Sequence, residues 1–163
     1  MPLFRMRKKW VAGTLGVALI GTFAAVALGS LPSPNFVGTP LVTANFDNKV
    51  ELNSDRVKFQ TKGPTDVRVQ KVVIGANGSS GWHHHPGFVI VSVASGAVTF
   101  MQSDCSSKTY GPGLPDGSVF VEYGDGPGQA TSVDGATIFT TYVAPDANPP
   151  VFRIEDDPPP CAG

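Results

Sequence analysis

The chain has 163 residues, with 12 basic side chains against 13 acidic ones and a formal net charge of −1. Four of the basic residues, Arg5, Arg7, Lys8 and Lys9, stand at the very start, so the rest of the chain carries eight basic against 13 acidic residues, a net of −5. A mildly acidic domain without a basic cluster argues against a nucleic-acid partner, and the absence of a basic amphipathic helix argues against a membrane-surface binder.

Met1 to Lys9 is basic, and Trp10 to Gly29 is uncharged and mostly apolar. This is the pattern of an export signal over 1–29, with Ala25-Val26-Ala27 or Ala27-Leu28-Gly29 as cleavage sites. An uncleaved anchor is the alternative reading, since the apolar run approaches the ~20 residues that span a bilayer and the basic flank would stay cytoplasmic. Either way the rest is expected outside the cytoplasm, secreted or in the cell envelope, and in contact with a membrane only through this segment if it is retained. Residues 30–40 contain three prolines and read as a linker. Residues 41–163 are one small domain by length, ending in the Pro-rich tail Asp156-Asp157-Pro158-Pro159-Pro160.

Within that domain Leu41 to Ala44 reads as a first short strand, and Lys49 to Leu52 alternates weakly. Arg56 to Gln60 alternates polar and apolar residues, as a half-buried strand does. Lys62 to Asp66 is a turn by composition. Val67 to Ile74 and Phe88 to Val93 are β-branched strands flanking a Gly/Asn/Ser-rich loop. Gly96 to Met101 continues the series, and Ser103 to Lys108 is polar. Tyr110 to Gly117 is a long turn, Ser118 to Tyr123 a strand, Gly124 to Gly128 a Gly/Pro turn, and Ala136 to Val143 the last clear strand. A short extended piece is expected at Val151 to Ile154. No segment after the signal shows a helical period, so the domain is all-β, a sandwich or a barrel.

All three histidines fall in Gly81-Trp82-His83-His84-His85-Pro86-Gly87. In an extended chain side chains alternate, so His83 and His85 share one face and His84 points to the other. Two imidazoles on one face suit a metal ion, a ligand carboxylate or an acid–base pair. The two cysteines, Cys105 and Cys161, both lie in the exported part. An even count in an oxidising compartment favours a disulfide, and only one intramolecular pairing exists. In the chain-entropy model that loop stabilises the fold by roughly 4 kcal/mol, and the bond would tie down the tail.

The ordered series Gly81 to Gly87, Ser95-Gly96, Cys105, Tyr110-Gly111-Pro112-Gly113 and Cys161 resembles small exported cupin-domain proteins of actinobacterial type, over roughly 39–161. The first cupin motif is His-x-His, three or four residues, Glu, six residues, Gly. Here it reads His83-x-His85, three residues, Val89, six residues, Gly96; the spacing fits, and Val89 stands in the Glu position. The resemblance implies a double-stranded β-helix, a jelly-roll-like barrel. It also implies a metal site of two His and a Glu from the first motif with a His from the second. The second motif would fall near Gly124 to Gly135, where the His position holds Gln129, Ala130 or Thr131, and no His follows His85.

Two of the four ligands, His83 and His85, are therefore the core of the expected site. Glu122, Asp125, Gln129 and Thr131 are candidate third donors. Glu122 sits near a strand end from which a tilt would aim it inward, but a solvated carboxylate is its simpler reading. Trp82 walls the pocket or packs in the core. His83, His85, Trp82 and Gln129 are the expected ligand-binding set. A divalent ion (Zn, Mn, Fe or Ni) would be held weakly, and its binding would weaken as pH falls through about 6.5, where free imidazole protonates. Three function classes follow: a module binding a small ligand or metal in the barrel, a metal-dependent oxygenase or isomerase, and a non-catalytic cell-envelope interaction protein.

Overall fold

The computed structural model describes residues 31–124 and 126–162. The expected signal or anchor at 1–29 and the candidate donor Asp125 lie outside the described residues. No helix among the described residues is long and apolar enough to cross a membrane.

Thirteen strands follow in order: β1 (Phe36–Phe46), β2 (Glu51–Asn53), β3 (Lys58–Gln60), β4 (Thr65–Ile74), β5 (Gly78–Ser79), β6 (His83–His84), β7 (Phe88–Gly96), β8 (Val98–Met101), β9 (Ser107–Tyr110), β10 (Val119–Tyr123), β11 (Gln129–Ser132), β12 (Ala136–Pro145) and β13 (Ile154–Glu155), with a short 3-10 turn at Pro160–Ala162. They form a five-stranded sheet in the order β1-β4-β12-β7-β10 and a four-stranded sheet in the order β5-β11-β8-β9. Every pairing in both sheets is antiparallel. From β4 to β12 the chain crosses back and forth between the two sheets, apart from the β8–β9 hairpin within one sheet and β6, which pairs with β13, so that early and late strands interleave. That is the double Greek key of a jelly roll, the fold the resemblance implies.

The core lies between the sheets. The inward positions of β4, β7 and β12 carry Val72, Ile74, Val89, Val91, Val93 and Ile138, which meet Val98 and Ala130 of the opposite sheet. Phe120 of β10 stacks on Phe100 of β8 and Tyr110 of β9, with ring centroids 5.1 and 4.5 Å away. Val and Ile dominate because branched side chains fit a pleated, half-buried surface.

Several elements differ from the sequence expectation. The first strand runs from Phe36, inside the stretch read as linker, because β1 pairs with β4 along nearly its whole length despite Pro40; Pro is tolerated on an edge strand. Two short strands, β9 and β11, lie in stretches without an apolar signal. The 56–60 segment forms an exposed two-stranded hairpin with β2, in which Phe59 alone is half-buried.

The Cys105–Cys161 disulfide is present, with the two Cα atoms 6.1 Å apart. It fastens the tail to the turn before β9. Upstream, the tail crosses the histidine strand as β13, with Ile154 opposite His84 and Glu155 opposite His83.

Candidate metal centre

His83 belongs to β6, a strand of two residues that the chain fixes from both sides. The His83 N–H donates to the Gly128 carbonyl (3.1 Å), and the Gly128 N–H donates back to the His83 carbonyl (2.8 Å). A side chain at residue 128 would collide with the Phe100 ring, so glycine is what lets the strands close here. His85 follows just before Pro86-Gly87. At Gly87 the backbone runs so close to Val143 of β12 that a Cβ would strike its carbonyl oxygen. The Pro-Gly pair thus docks the end of the motif against the sheet.

His83 and His85 are both buried, and their rings meet edge to face with centroids 4.8 Å apart. Glu122 is the third member. Its side chain is 11% exposed, and its Oε2 lies 3.1 Å from His85 Nε2 and 3.6 Å from His83 Nε2. The expectation of a solvated carboxylate is corrected: Glu122 is an inward position of β10, opposite Val89 of β7. Among the described residues His83, His85 and Glu122 form a group able to hold a metal ion, with donor atoms all within 4.8 Å of one another.

The second nitrogen of each ring fixes its tautomer. His83 Nδ1 lies 3.0 Å from the Gly81 carbonyl, and His85 Nδ1 lies 2.5 Å from the Phe152 carbonyl. A carbonyl only accepts, so each Nδ1 carries the hydrogen, and a ring in its neutral form turns its Nε2 lone pair toward Glu122. Two lone pairs and a carboxylate then converge with no hydrogen among them, an arrangement that calls for a cation or a trapped proton. Backbone carbonyls orienting ligating imidazoles in this way is how metal sites fix their ligands.

Burial pushes the His83 pKa down to about 4; Glu122 opposes the shift, while Arg153 and His85 add to it. In the metal-free protein His83 therefore stays neutral well below pH 6.5. Tyr142 packs edge-on against His85 (5.4 Å between centroids), and burial, with Glu122 nearby, raises its pKa.

The remaining expected residues are placed as follows. His84 is half-buried on the other face, its Nδ1 2.7 Å from Asp156 Oδ2 of the tail. Trp82 is buried and its carbonyl accepts from the Asp156 N–H (3.0 Å); it is not part of the cleft wall. Gln129 pairs with Met101 across β11–β8 and also lies outside the cleft. Thr131 points its hydroxyl to the Thr99 carbonyl at 3.5 Å. Sequence reasoning missed Phe152, whose ring is buried between Tyr142 (5.8 Å) and the Arg68 guanidinium (4.2 Å). It also missed Arg153, which donates to the Ser80 carbonyl (2.6 Å) and grips Glu155 through two nitrogens.

A cleft of about 110 Å³ opens onto the three donors, and Phe100, Gln102, Ser103, Tyr123 and Pro127 are among the residues that line it.

The chain matches no protein-family model and no curated protein. Solved structures resemble it at low identity. A conserved SPY1581 protein of unknown function from Streptococcus pyogenes is 19% identical over 62% of this chain and 78% of that one, with a TM-score of 0.44. Salicylate 1,2-dioxygenase from Pseudoaminobacter salicylatoxidans is 16% identical over 46% of this chain, with a TM-score of 0.40. Oxalate oxidase is 19% identical over 46%, with a TM-score of 0.39. The chain spans about a fifth of the dioxygenase (19%) and 40% of the oxidase.

Proposed function

We propose that this is an exported cupin-type metal protein. In this reading His83, His85 and Glu122 hold a divalent ion, and a small oxygen-bearing ligand reaches it through the cleft. The observation that carries the reading is the convergence of two Nε2 lone pairs and Glu122 Oε2, with both Nδ1 atoms already committed to carbonyls. Two neutral imidazoles and one carboxylate form the 2-His-1-carboxylate set that suits Fe, and Mn, Zn or Ni accept the same donors. Bound there, such an ion would act as a Lewis acid toward an oxygen ligand. Glu122 supplies the negative charge that the two histidines lack. His83 stays neutral because it is buried, and Phe152 and Gly81 hold the rings in the ligating tautomer. Phe100 and Tyr123 give the cleft apolar walls; Gln102 and Ser103 provide polar contacts for the ligand. The disulfide fits an oxidising, extracytoplasmic location.

Three protein donors leave positions for a ligand, and the adjoining cleft favours a second reading, a metal-dependent enzyme, over a purely structural envelope protein. Metal analysis of the purified protein, followed by calorimetric titration with Mn, Fe, Ni and Zn, tests the proposal. His83→Ala, His85→Ala and Glu122→Gln should each abolish binding, while His84→Ala leaves it intact. Wild type that binds none of the four ions while its variants stay folded would overturn it.

A further inference from the structure

The cleft over the three donors is narrow and short of charge. Its volume of about 110 Å³ is well below the ~300 Å³ at which pockets for drug-sized ligands begin, so what enters is small. One wall is the Phe100 ring, held in place by the stacked Phe120 ring (5.1 Å between centroids) and by Gly128, where a Cβ would strike it. Gly124, Gly126 and Gly128 also line the cleft, presenting main chain where other residues would present side chains. A Cβ on Gly126 would come 2.7 Å from Ser103 Oγ, so the loop at Gly126 and the turn at Ser103 lie close together. Among the described residues lining the cleft there is no lysine or arginine, and Glu122 is the one acid. Neighbouring charges are already paired: His84 with Asp156 at 2.7 Å, and Arg153 with Glu155 through two nitrogens.

We propose that this site takes a small monocarboxylate with a hydroxyl or oxo oxygen next to the carboxyl, and discriminates against dicarboxylates and phosphate. The inference rests on the metal reading above and names the ligand class of that same site. A divalent ion held by two neutral imidazoles and Glu122 keeps one net positive charge. One carboxylate cancels it. A second carboxylate, or the second charge of phosphate, would meet neither lysine nor arginine, and an unpaired charge in a confined site is unfavourable. Gln102 and Ser103 offer only neutral hydrogen bonds, about half as strong as charge-assisted ones. Three protein donors leave coordination positions open. An acid with a neighbouring oxygen closes a small chelate ring there and brings no further charge. Its short carbon end has the Phe100 ring to pack against, and the approach of Gly126 to Ser103 limits how bulky that end can be.

Calorimetry of manganese-loaded protein near neutral pH tests this, with L-lactate, acetate, malonate and inorganic phosphate as probes and the metal content measured before and after. Wild type should bind L-lactate about 10-fold or more tighter than the other probes, the margin of one hydrogen bond to a charged group. Metal-free protein should not bind it. Gln102→Arg adds a cation to the cleft wall and should tighten malonate by about 10-fold, with a smaller change for L-lactate. Gly126→Val should narrow the cleft and weaken L-lactate several-fold, with the metal content unchanged. Both positions are exposed, so neither substitution disturbs the core, and circular dichroism melting checks this. Malonate or phosphate binding as tightly as L-lactate overturns the proposal, as does L-lactate binding no tighter than acetate or equally well without metal. Protein that takes up no manganese overturns the metal reading and this inference together. Protein that takes it up and binds none of the probes overturns this inference alone.

Discussion

Glu122 stands directly opposite Val89 in the β7–β10 ladder. The carboxylate that the cupin motif would place at residue 89 thus comes from the neighbouring strand, on the same inward face. Cross-strand partners have Cβ atoms about 5 Å apart, so either position delivers a carboxylate to the same histidines. Glu122→Val should therefore lower metal affinity by more than about 100-fold, beyond the loss typical of a residue that only orients a ligating side chain. The double change Val89→Glu with Glu122→Val should recover part of that loss. Calorimetric titration of the single and double variants checks this; a double variant no better than Glu122→Val would show that the two positions are not equivalent.

The tail orients His85 through a backbone carbonyl, and the Phe152 ring holds that carbonyl in place. Phe152→Ala should cost about 3–5 kcal/mol in stability and a further 10- to 100-fold in metal affinity, about what losing an orienting partner costs. Cys161→Ser removes a constraint between residues 56 apart in sequence, worth roughly 4 kcal/mol in the chain-entropy model. Its effect on metal affinity should be the smaller of the two, because Arg153 and Asp156 still pin the tail between Phe152 and the disulfide. Urea unfolding and metal titration of both variants separate the two roles. Equal loss of affinity in both would mean that the disulfide, not the aromatic plug, sets the His85 ring.

The local pattern disclosed the jelly-roll strands where their residues are apolar and branched, as at Val67 to Ile74, Phe88 to Val93 and Ala136 to Val143. It failed at β9 and β11, whose Ser-Lys-Thr-Tyr and Gln-Ala-Thr-Ser carry no apolar alternation and are strands only because neighbours pair with them. The pairing of His83 with His85 follows from strand alternation alone. The burial of Glu122 does not, because it depends on the register between β10 and β7, which no local pattern encodes. The Phe152 contribution was also hidden: a main-chain carbonyl is the same in every residue, and only the fold says which one meets an imidazole.

Gly87 is a packing requirement inside the histidine motif. Gly87→Ala should push the start of β7 away from Val143 of β12, costing about 1–3 kcal/mol as overpacking does. It should also weaken metal binding by moving His85. Gly63→Ala is the matched control, since nothing lies within 4 Å of a Cβ there. Thermal melts of the two variants should separate clearly; equal melting temperatures would mean that the β7–β12 contact yields without cost.

The low pKa of His83 sets an acid limit on the metal-free fold. Unfolded, the imidazole titrates near 6.5; folded, burial holds it at about 4. Between those values the unfolded chain binds a proton that the native state refuses, so stability rises with pH across the window. The contribution of His83 is fully present above 6.5 and is lost as pH falls through 6.5 toward 4; below that both states are protonated and the slope from this group vanishes. A metal bound through Nε2 excludes the same proton, so it should shift the loss to still lower pH. The urea midpoint of metal-free wild type should therefore fall between pH 6.5 and 4. His83→Gln, which cannot titrate, should show a shallower fall over that window. Parallel profiles for the two proteins would mean that His83 protonates in the native state as readily as in the unfolded one, and that its burial does not exclude the proton.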